Sequence, residues 1–344
     1  MLEQRDVPIA GLTTLRLGGP ARRVLTATSD EEVVAAVRDA DAAGEPLIVL
    51  GGGSNLVAPD AGFDGTMLRV DLRHFAVAPL AKHALQFGAG VDWDHAVRLA
   101  VDEGYAGLEA LSGIPGLAGA APIQNVGAYG QDVSQTLGWV RALDRTTHDV
   151  VWLSRADCAF GYRSSVLKRH PHRYVVLSVS FALEHSRDGA PVRYAELART
   201  LGVEVGERVP SADVRAAVLE LRRGKGMVLD PADHDTWSAG SFFTNPVLTA
   251  DDAARLLPDD APRWPEGDSG VKTSAAWLIE ASGFSKGYGT GPARISTKHT
   301  LALTNRGGAT TADLLTLARE VRDGVRGRFG ITLVNEPVIL GGEL

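Results

Sequence analysis

Residues 238–246 read SAGSFFTNP, and Ser241 there stands between a glycine and two phenylalanines, a setting open to a nucleophile, a proton donor or a turn residue. A hydrolase nucleophile needs the sharp G-x-S-x-G elbow, and Ala239 and Phe243 occupy its glycine positions, so the elbow is absent. As a donor to a carbanion, a serine hydroxyl suffices where the intermediate is a stronger base than the alkoxide it leaves. Gly240 would then let a ligand approach, and Phe242 and Phe243 would exclude competing water. Glu336 lies in ITLVNEPVIL, an otherwise apolar run. An acid there must be paired, hydrogen-bonded or protonated, and a protonated one can donate to a growing negative charge. Arg163 in FGYRSS, ahead of an expected strand, carries the planar fork that grips a carboxylate through two bonds, although sequence alone equally allows a surface ion pair.

Two glycine-rich stretches could serve a ligand. LGGGSNLVAPD (50–60) follows an expected strand, and consecutive glycines bring backbone N–H groups close to an anion, with Ser54 and Asn55 adding side-chain bonds. A tight strand–loop turn explains it as well. The dinucleotide fingerprint fails, because Leu56 stands at its third glycine, and no phosphate-binding G-x-x-x-x-G-K-[ST] loop occurs. SGIPGLAGAAPIQNVGAYG (112–130) is harder to read as bland: it is long, uncharged and built from small or turn-forming residues, and such loops are unusual unless they grip something. Gln124 and Asn125 supply its polar contacts. Together the two stretches suggest a cofactor bearing a diphosphate.

These residues need a scaffold, and 344 residues, 44% hydrophobic and 22% charged, suffice for two domains with a core each. A net charge of −7 without a dense Lys/Arg block argues against a general nucleic-acid or membrane-surface binder. Cys158, the only cysteine, makes no intramolecular disulfide and holds no metal by thiolates, so a reducing compartment and no metal site are expected. Glu3, Arg5 and Asp6 interrupt the apolar run an export signal needs, which points to the cytoplasm. The uncharged run from Ala110 to Gln131 has the length of a membrane span, but Pro115, Pro122 and five glycines would leave backbone groups unpaired in lipid. It reads as a buried or ligand-covered loop.

Ser29 with Glu32 predicts a capping box opening the helix SDEEVVAAVRDADAAG, stopped by Gly44 before the strand PLIVL. A helix in DWDHAVRLAVDEG precedes the uncharged loop, and strands follow in LGWVRAL, DVVWL and YVVLSVSFAL. Further helices are expected in SADVRAAVLELRRGK, KTSAAWLIEASG and TADLLTLAREVRDGVRGRF, and a last strand in ITLVNEPVIL. The breaker-rich segment at 184–210 suggests a boundary: a first domain over 1–205, with subdomains near 1–72 and 73–205, a second over 206–330, and a C-terminal strand over 331–344 carrying Glu336 back to the site.

NLVAPD after GGGS, SGIPGLAGAAPIQNVGAYG, FGYRSSVLK, AGSFFTNP, ISTKHTLALTNRG and VNEPVILG occur in that order, and together they resemble the UDP-N-acetylenolpyruvoylglucosamine reductase family over nearly the whole chain. The first half resembles the FAD-binding domain shared with vanillyl-alcohol oxidase and p-cresol methylhydroxylase. The resemblance implies an α+β fold: a FAD-binding domain of that type with two α/β subdomains, plus a smaller C-terminal α/β substrate-binding domain. It implies FAD as cofactor, NADPH as co-substrate, no nucleic-acid or membrane partner and a monomer. In the family's reaction, hydride passes from NADPH through FAD to C3 of an enolpyruvyl group, and a carbanion at C2 is then protonated.

On this resemblance Arg163, Ser241 and Glu336 are the catalytic residues. The cofactor would lie on Gly51, Gly52, Gly53, Ser54, Asn55 and Leu56, on Ser112, Gly113, Ile114, Pro115, Gly116 and Gly119, and on Asn125, Val126, Gly127 and Ala128. Tyr129, Lys225 and Asn245 match substrate contacts, and Tyr194 in PVRYAELAR matches the tyrosine that closes over the nucleotide in one subtype. His299 stands where some relatives carry glutamine, so a substrate contact and a structural histidine both remain open. The rival readings are another oxidoreductase of the same flavoprotein fold, such as a sugar-alcohol oxidase, and an inactive nucleotide-sugar-binding protein. Motifs outside the flavin domain oppose the first, and joint retention of Arg163, Ser241 and Glu336 opposes the second.

Overall fold

The computed structural model describes residues 1–77, 84–267 and 270–344. The chain forms two compact units: Met1–Val7, Ala21–Gly52 and Asp64–Val228 make the first, and Pro8–Pro20, Gly53–Phe63 and Leu229–Leu344 the second.

In the first unit, helix α1 (Asp30–Ala43) accompanies a four-stranded sheet ordered Leu2–Pro8, Pro20–Ala27, Phe63–Val70, Leu47–Leu50, whose last pair is parallel. The expected capping box forms by half. Ser29 accepts the Glu32 N–H at 3.3 Å, but the Glu32 carboxylate turns to the Thr28 N–H at 2.8 Å and to the chain N-terminus. Gly44 ends the helix at φ 64°, the left-handed conformation glycine adopts without a Cβ clash. The expected strands at Leu137–Asp144, Asp149–Ser154 and Tyr174–Ala182 join Ala84–Gly88 and Phe75–Val77 in a five-stranded antiparallel sheet. Tyr174–Ala182 runs through its middle, and Val175 to Phe181 are all buried, the small Ser178 and Ser180 included, so both faces of the strand are covered. Helix α2 (Trp93–Asp102), capped by Asp92 on the His95 N–H, sets the Trp93 ring edge-on to Phe181 at 5.7 Å.

The unit also contains α3 (Val166–Arg169), α4 (Ala195–Leu201) and α5 (Ser211–Gly224). Helix α5, expected in the second domain, lies in the first unit, where Arg215 grips Asp94 of α2 through bonds of 2.6 and 2.7 Å and Val214 and Val218 join Leu197 and Ala198 of α4 in a small core. A charge count along the chain does not anticipate this: the breaker-rich segment before it lies within the unit and contributes Val192, Leu197 and Ala198 to that core.

The second unit holds α6 (Ala250–Leu256), α7 (Ala275–Ala281), α8 (Thr311–Phe329) and a three-stranded antiparallel sheet ordered Val247–Thr249, Gly270–Thr273, Arg263–Glu266. Leu314, Leu317, Ala318, Val321 and Val325 recur at helical spacing and are the buried stripe of α8. Thr310 and Asp313 form the reciprocal capping box there, and Asp60 of the NLVAPD motif accepts the N–H groups of Thr311 and Ala312 at 2.8 and 3.0 Å. Residues 331–344 do not form the long strand expected: only Val338–Ile339 is a strand, parallel to Leu56–Val57, and Asn335 makes an isolated bridge to Phe243. Pro337 interrupts the pairing because it lacks the N–H a ladder needs. Among the described residues no helix is long and apolar enough to cross a membrane, and no His/Cys/Asp/Glu group is arranged to hold a metal.

Candidate functional site

In the first unit the uncharged loop is held down along its length. The Trp93 N–H donates to Gly116 O at 3.0 Å, Ala118 N–H to Val91 O at 2.8 Å and Gly119 N–H to Ala89 O at 3.1 Å. A Cβ on Gly119 would lie 2.5 Å from that of Ala89, so only glycine permits this approach. Gly52 and Gly116 press together in the same way, a Cβ on Gly52 falling 2.8 Å from the Gly116 Cα. Of residues 110–131 only Gly130 is exposed. The Gly113 N–H donates to Asp94 at 2.6 Å, and the remaining main chain of the two glycine turns, whose residues 110–131 carry no carboxylate of their own, is a surface that suits the diphosphate and the flat ring system of FAD. The residues present fit the cofactor in that sense.

Two expected cofactor contacts already spend their side chains on the protein. Ser112 is fully buried and donates to Glu109 O at 2.6 Å. Asn125, at φ 48°, donates to Gly161 O at 3.2 Å and accepts the Ser134 N–H at 2.9 Å. Their backbone N–H groups donate to Glu109 O and Pro122 O, each at 3.3 Å, and Gly113, Ile114, Pro115, Val126 and Ala128 sit on the same loop.

Arg163 lies in a turn ahead of α3, a single helical turn before the expected strand at Tyr174–Ala182, and it too has a left-handed φ of 51°. Its guanidinium donates to Gly127 O at 2.9 Å and to Asn125 O at 3.4 Å. A Cβ on Gly127 would stand 2.9 Å from the Asp132 Cβ and 3.0 Å from Gln131 O, which favours the glycine, with Arg163 Nη1 at 3.1 Å. Ser165 caps α3 on the Lys168 N–H and donates to Ile123 O, while Lys168 Nζ reaches Arg163 O at 3.0 Å. The segment 161–168 therefore clamps residues 123–127, and FGYRSS was legible as a motif but not as a clamp.

The loop ends in a small hairpin in which Ala128 pairs with Gln131. Tyr129 at its tip, again left-handed at φ 49°, meets Tyr194 edge-on at 5.6 Å, and Lys225 Nζ stands 5.6 Å from the Tyr129 ring centre. The structure thus brings together three of the expected substrate contacts. Tyr194 precedes α4 and is 45% exposed; Lys225 caps the end of α5 and pairs with Glu196. Burial pushes the Tyr129 hydroxyl up to about 12 and pulls the Arg222 guanidinium on α5 down to about 10.

In the second unit the SAGSFFTNP loop is laced to the C-terminal segment. The Glu336 N–H donates to Phe242 O at 2.9 Å and the Thr244 N–H to Val334 O at 3.0 Å. Asn55 Nδ2 reaches Glu336 O at 3.3 Å, and the Val338 N–H donates to Asn55 O at 2.9 Å. Asn55 thus holds the Glu336 segment, a role the sequence did not suggest. Gly53, at φ 63°, packs a would-be Cβ 1.9 Å from Leu12 O, and Ser54 and Leu56 follow it on this segment. Phe242 and Phe243 are buried edge to face at 5.2 Å, whereas Ser241 is half-buried and its hydroxyl makes no hydrogen bond among the described residues. Gly240 is left-handed at φ 72° with nothing within 4 Å of a would-be Cβ.

Thr14 donates to Ser238 O at 2.7 Å and Arg16 lies over Trp237 at 4.1 Å, so the unread TTLRLGGP segment supports the serine loop from below. Asn245 accepts the Ala275 N–H at 3.0 Å at the start of α7, and the His299 N–H donates to Ser296 Oγ at 3.3 Å.

Residues 230–340 match the model of the UDP-N-acetylenolpyruvoylglucosamine reductase C-terminal domain, and residues 21–154 match an FAD binding domain. The UDP-N-acetylenolpyruvoylglucosamine reductase of Streptomyces avermitilis is 61% identical over 99% of this chain and 96% of its own. The chain belongs to this family. The family's enzyme from Thermobifida fusca is 59% identical over 99% of this chain and 98% of its own. Among solved structures, the family's enzyme from Thermus caldophilus superposes with a TM-score of 0.69 at 25% identity, covering 98% of this chain and 99% of that one. The mixed α+β architecture, with an FAD-binding domain followed by the family's C-terminal domain, is that of the family, as is flavin-dependent oxidoreductase chemistry.

Proposed function

We propose that the chain reduces the enolpyruvyl double bond of UDP-N-acetylenolpyruvoylglucosamine to give UDP-N-acetylmuramate, with NADPH as hydride source, in peptidoglycan precursor synthesis. One observation carries the reading: Ser241 offers a hydroxyl uncommitted among the described residues, one residue from the carbonyl that fixes Glu336. A proton donor and an acid are thereby held to one stretch of main chain, as olefin reduction requires.

The reaction adds a hydride to C3 and a proton to C2, so that one π bond is lost and two C–H bonds form. Bound FAD, held by the residues around Gly51–Leu56, Ser112–Gly119 and Asn125–Ala128, supplies the hydride relay from NADPH to C3. Ser241 delivers the proton to C2. Negative charge grows on the substrate carboxylate as hydride arrives; Arg163 meets it with a fixed cation, and Glu336 donates to the enolate oxygen as an acid. Phe242 and Phe243 keep water from protonating C2 in Ser241's place.

Tyr129, Tyr194 and Lys225 take the nucleotide diphosphate, and Asn245 and His299 contact the sugar-bearing part. Tyr194 assigns the chain to the subtype with a closing tyrosine loop. We place the enzyme in the cytoplasm as a monomer, with residues 1–205 holding the cofactor and adding Tyr129, Arg163 and Tyr194 to the substrate site, and 206–330 serving the substrate. Cys158 is buried, and burial pushes its thiol up to about 11, which suits a reducing compartment and an inert structural cysteine. Purified protein is expected to be yellow and to consume NADPH only when the UDP-enolpyruvyl sugar is added under nitrogen. A colourless protein that takes up no FAD contradicts the reading.

A further inference from the structure

Glu109 is fully buried, and among the described residues no basic side chain pairs with it. Its carboxyl oxygens instead accept three N–H donors: Gly107 at 2.6 Å, Ala190 at 2.7 Å and the Gln131 side chain at 2.9 Å. A buried acid so placed is stabilised by its donors and in turn fixes them, because each would be costly to leave unmet.

The donors lead to the two tyrosines. Gln131 also accepts the Ala110 N–H at 3.0 Å and closes the hairpin whose tip is Tyr129. Ala190 opens the segment that ends at Tyr194. Along that segment Gly189 and Val192 donate outward to Val209 and Glu207, while the Ala190 bond ties it to the cofactor loop. The fit is close on both sides: a Cβ on Gly189 would stand 3.1 Å from Glu109 Oε1, and one on Gly130 would stand 2.8 Å from the Arg193 Cβ. Glu109 itself is tied to the cofactor loop by Ser112, which donates to its carbonyl.

We propose that Glu109 is a positioning residue that sets the Tyr129–Tyr194 pair over the substrate nucleotide by anchoring both of their segments to the cofactor loop. It touches neither substrate nor cofactor. The proposal rests on the substrate role given to the two tyrosines.

The test is a double-mutant cycle on the FAD-loaded protein. Glu109→Met removes both acceptor oxygens, and with them all three hydrogen bonds, at similar volume and is expected to raise KM for the UDP-enolpyruvyl sugar about tenfold or more, with kcat and the rate of flavin bleaching by NADPH within about twofold. In a Tyr194→Ala background the same change is expected to alter KM less than about twofold, because the element it positions is gone. Glu109→Gln, which keeps one oxygen for Ala190 and Gln131, should restore KM to within about threefold of the parent. Should Glu109→Met not fold, Gln131→Leu cuts one arm of the anchor, with an expected KM rise of about threefold that again vanishes without Tyr194. Unchanged KM in a folded variant, or the same KM penalty with and without Tyr194, overturns the proposal. Hydrogen exchange read without substrate separates the two readings: faster exchange at Ala190 in Glu109→Met, or at Ala110 in Gln131→Leu, supports the anchor even if the parent fails to reduce the sugar, and unchanged exchange in a folded variant overturns it.

Discussion

The backbone N–H of Glu336 donates to the carbonyl of Phe242 at 2.9 Å, so main chain ties the acid to the SAGSFFTNP loop. That separates position from chemistry. Glu336→Gln keeps the backbone bond and the side-chain volume and removes the acid. It is expected to fold with an unchanged thermal midpoint while kcat falls about 10²- to 10³-fold. Steady-state rates beside a melting curve check both halves, and a variant of parental rate would remove Glu336 from the chemistry.

Lys225 sits 5.6 Å from the Tyr129 ring centre and pairs with Glu196. Lys225→Met is expected to raise KM for the UDP-sugar about 10- to 100-fold, the range for losing a charged hydrogen bond to phosphate. Flavin reduction by NADPH should proceed as before. A KM within twofold of the parent, by initial rates, would take Lys225 out of the nucleotide site.

Tyr129 has its hydroxyl pushed up to about 12 by burial, above the ordinary tyrosine value. Between about pH 10 and 12 the unfolded chain has released this proton and the folded one has not, so folding stability falls as pH rises through that window. Tyr129→Phe should remove the highest step in an ultraviolet titration of the tyrosines and flatten the loss of stability above about pH 10. A titration curve identical to the parent's contradicts the assignment.

Asp60 accepts the first two N–H groups of α8. Asp60→Ala leaves them without that acceptor and is expected to destabilise the chain by about 1 kcal/mol, read as a lower urea midpoint at unchanged slope. An unchanged midpoint would mean that Thr310 and Asp313 suffice.

Much of the fold was legible because its signals are local. Gly44 stops α1, Val175 to Phe181 mark a central strand, and the spacing of Leu314 to Val325 marks the buried face of α8. What was not legible depends on distant partners. Glu32 looks like the second half of a capping box, yet Thr28 and the chain N-terminus take its carboxylate. Residues 331–340 form a largely apolar run and look like a strand, but Pro337 and the loop they meet leave two residues of ladder. For the site, the residue types in SAGSFFTNP and the uncharged loop named the chemistry, while Thr14, Ser165 and Glu109, and the hold of Asn55 on the Glu336 segment, went unread. Their side chains bond to backbone groups from 42 to 281 residues away, and no spacing rule reaches that far.

The central claim is that Ser241 gives the proton to C2. Its most direct measurement is a stopped-flow comparison of parent and Ser241→Ala, each loaded with FAD, reduced anaerobically by NADPH and then mixed with the UDP-enolpyruvyl sugar. Bleaching of the flavin by NADPH should be equal in the two, and its reoxidation by the sugar should slow about 10²- to 10⁴-fold in the variant, the usual weight of a positioned acid. Reoxidation at the parental rate in Ser241→Ala would contradict the account.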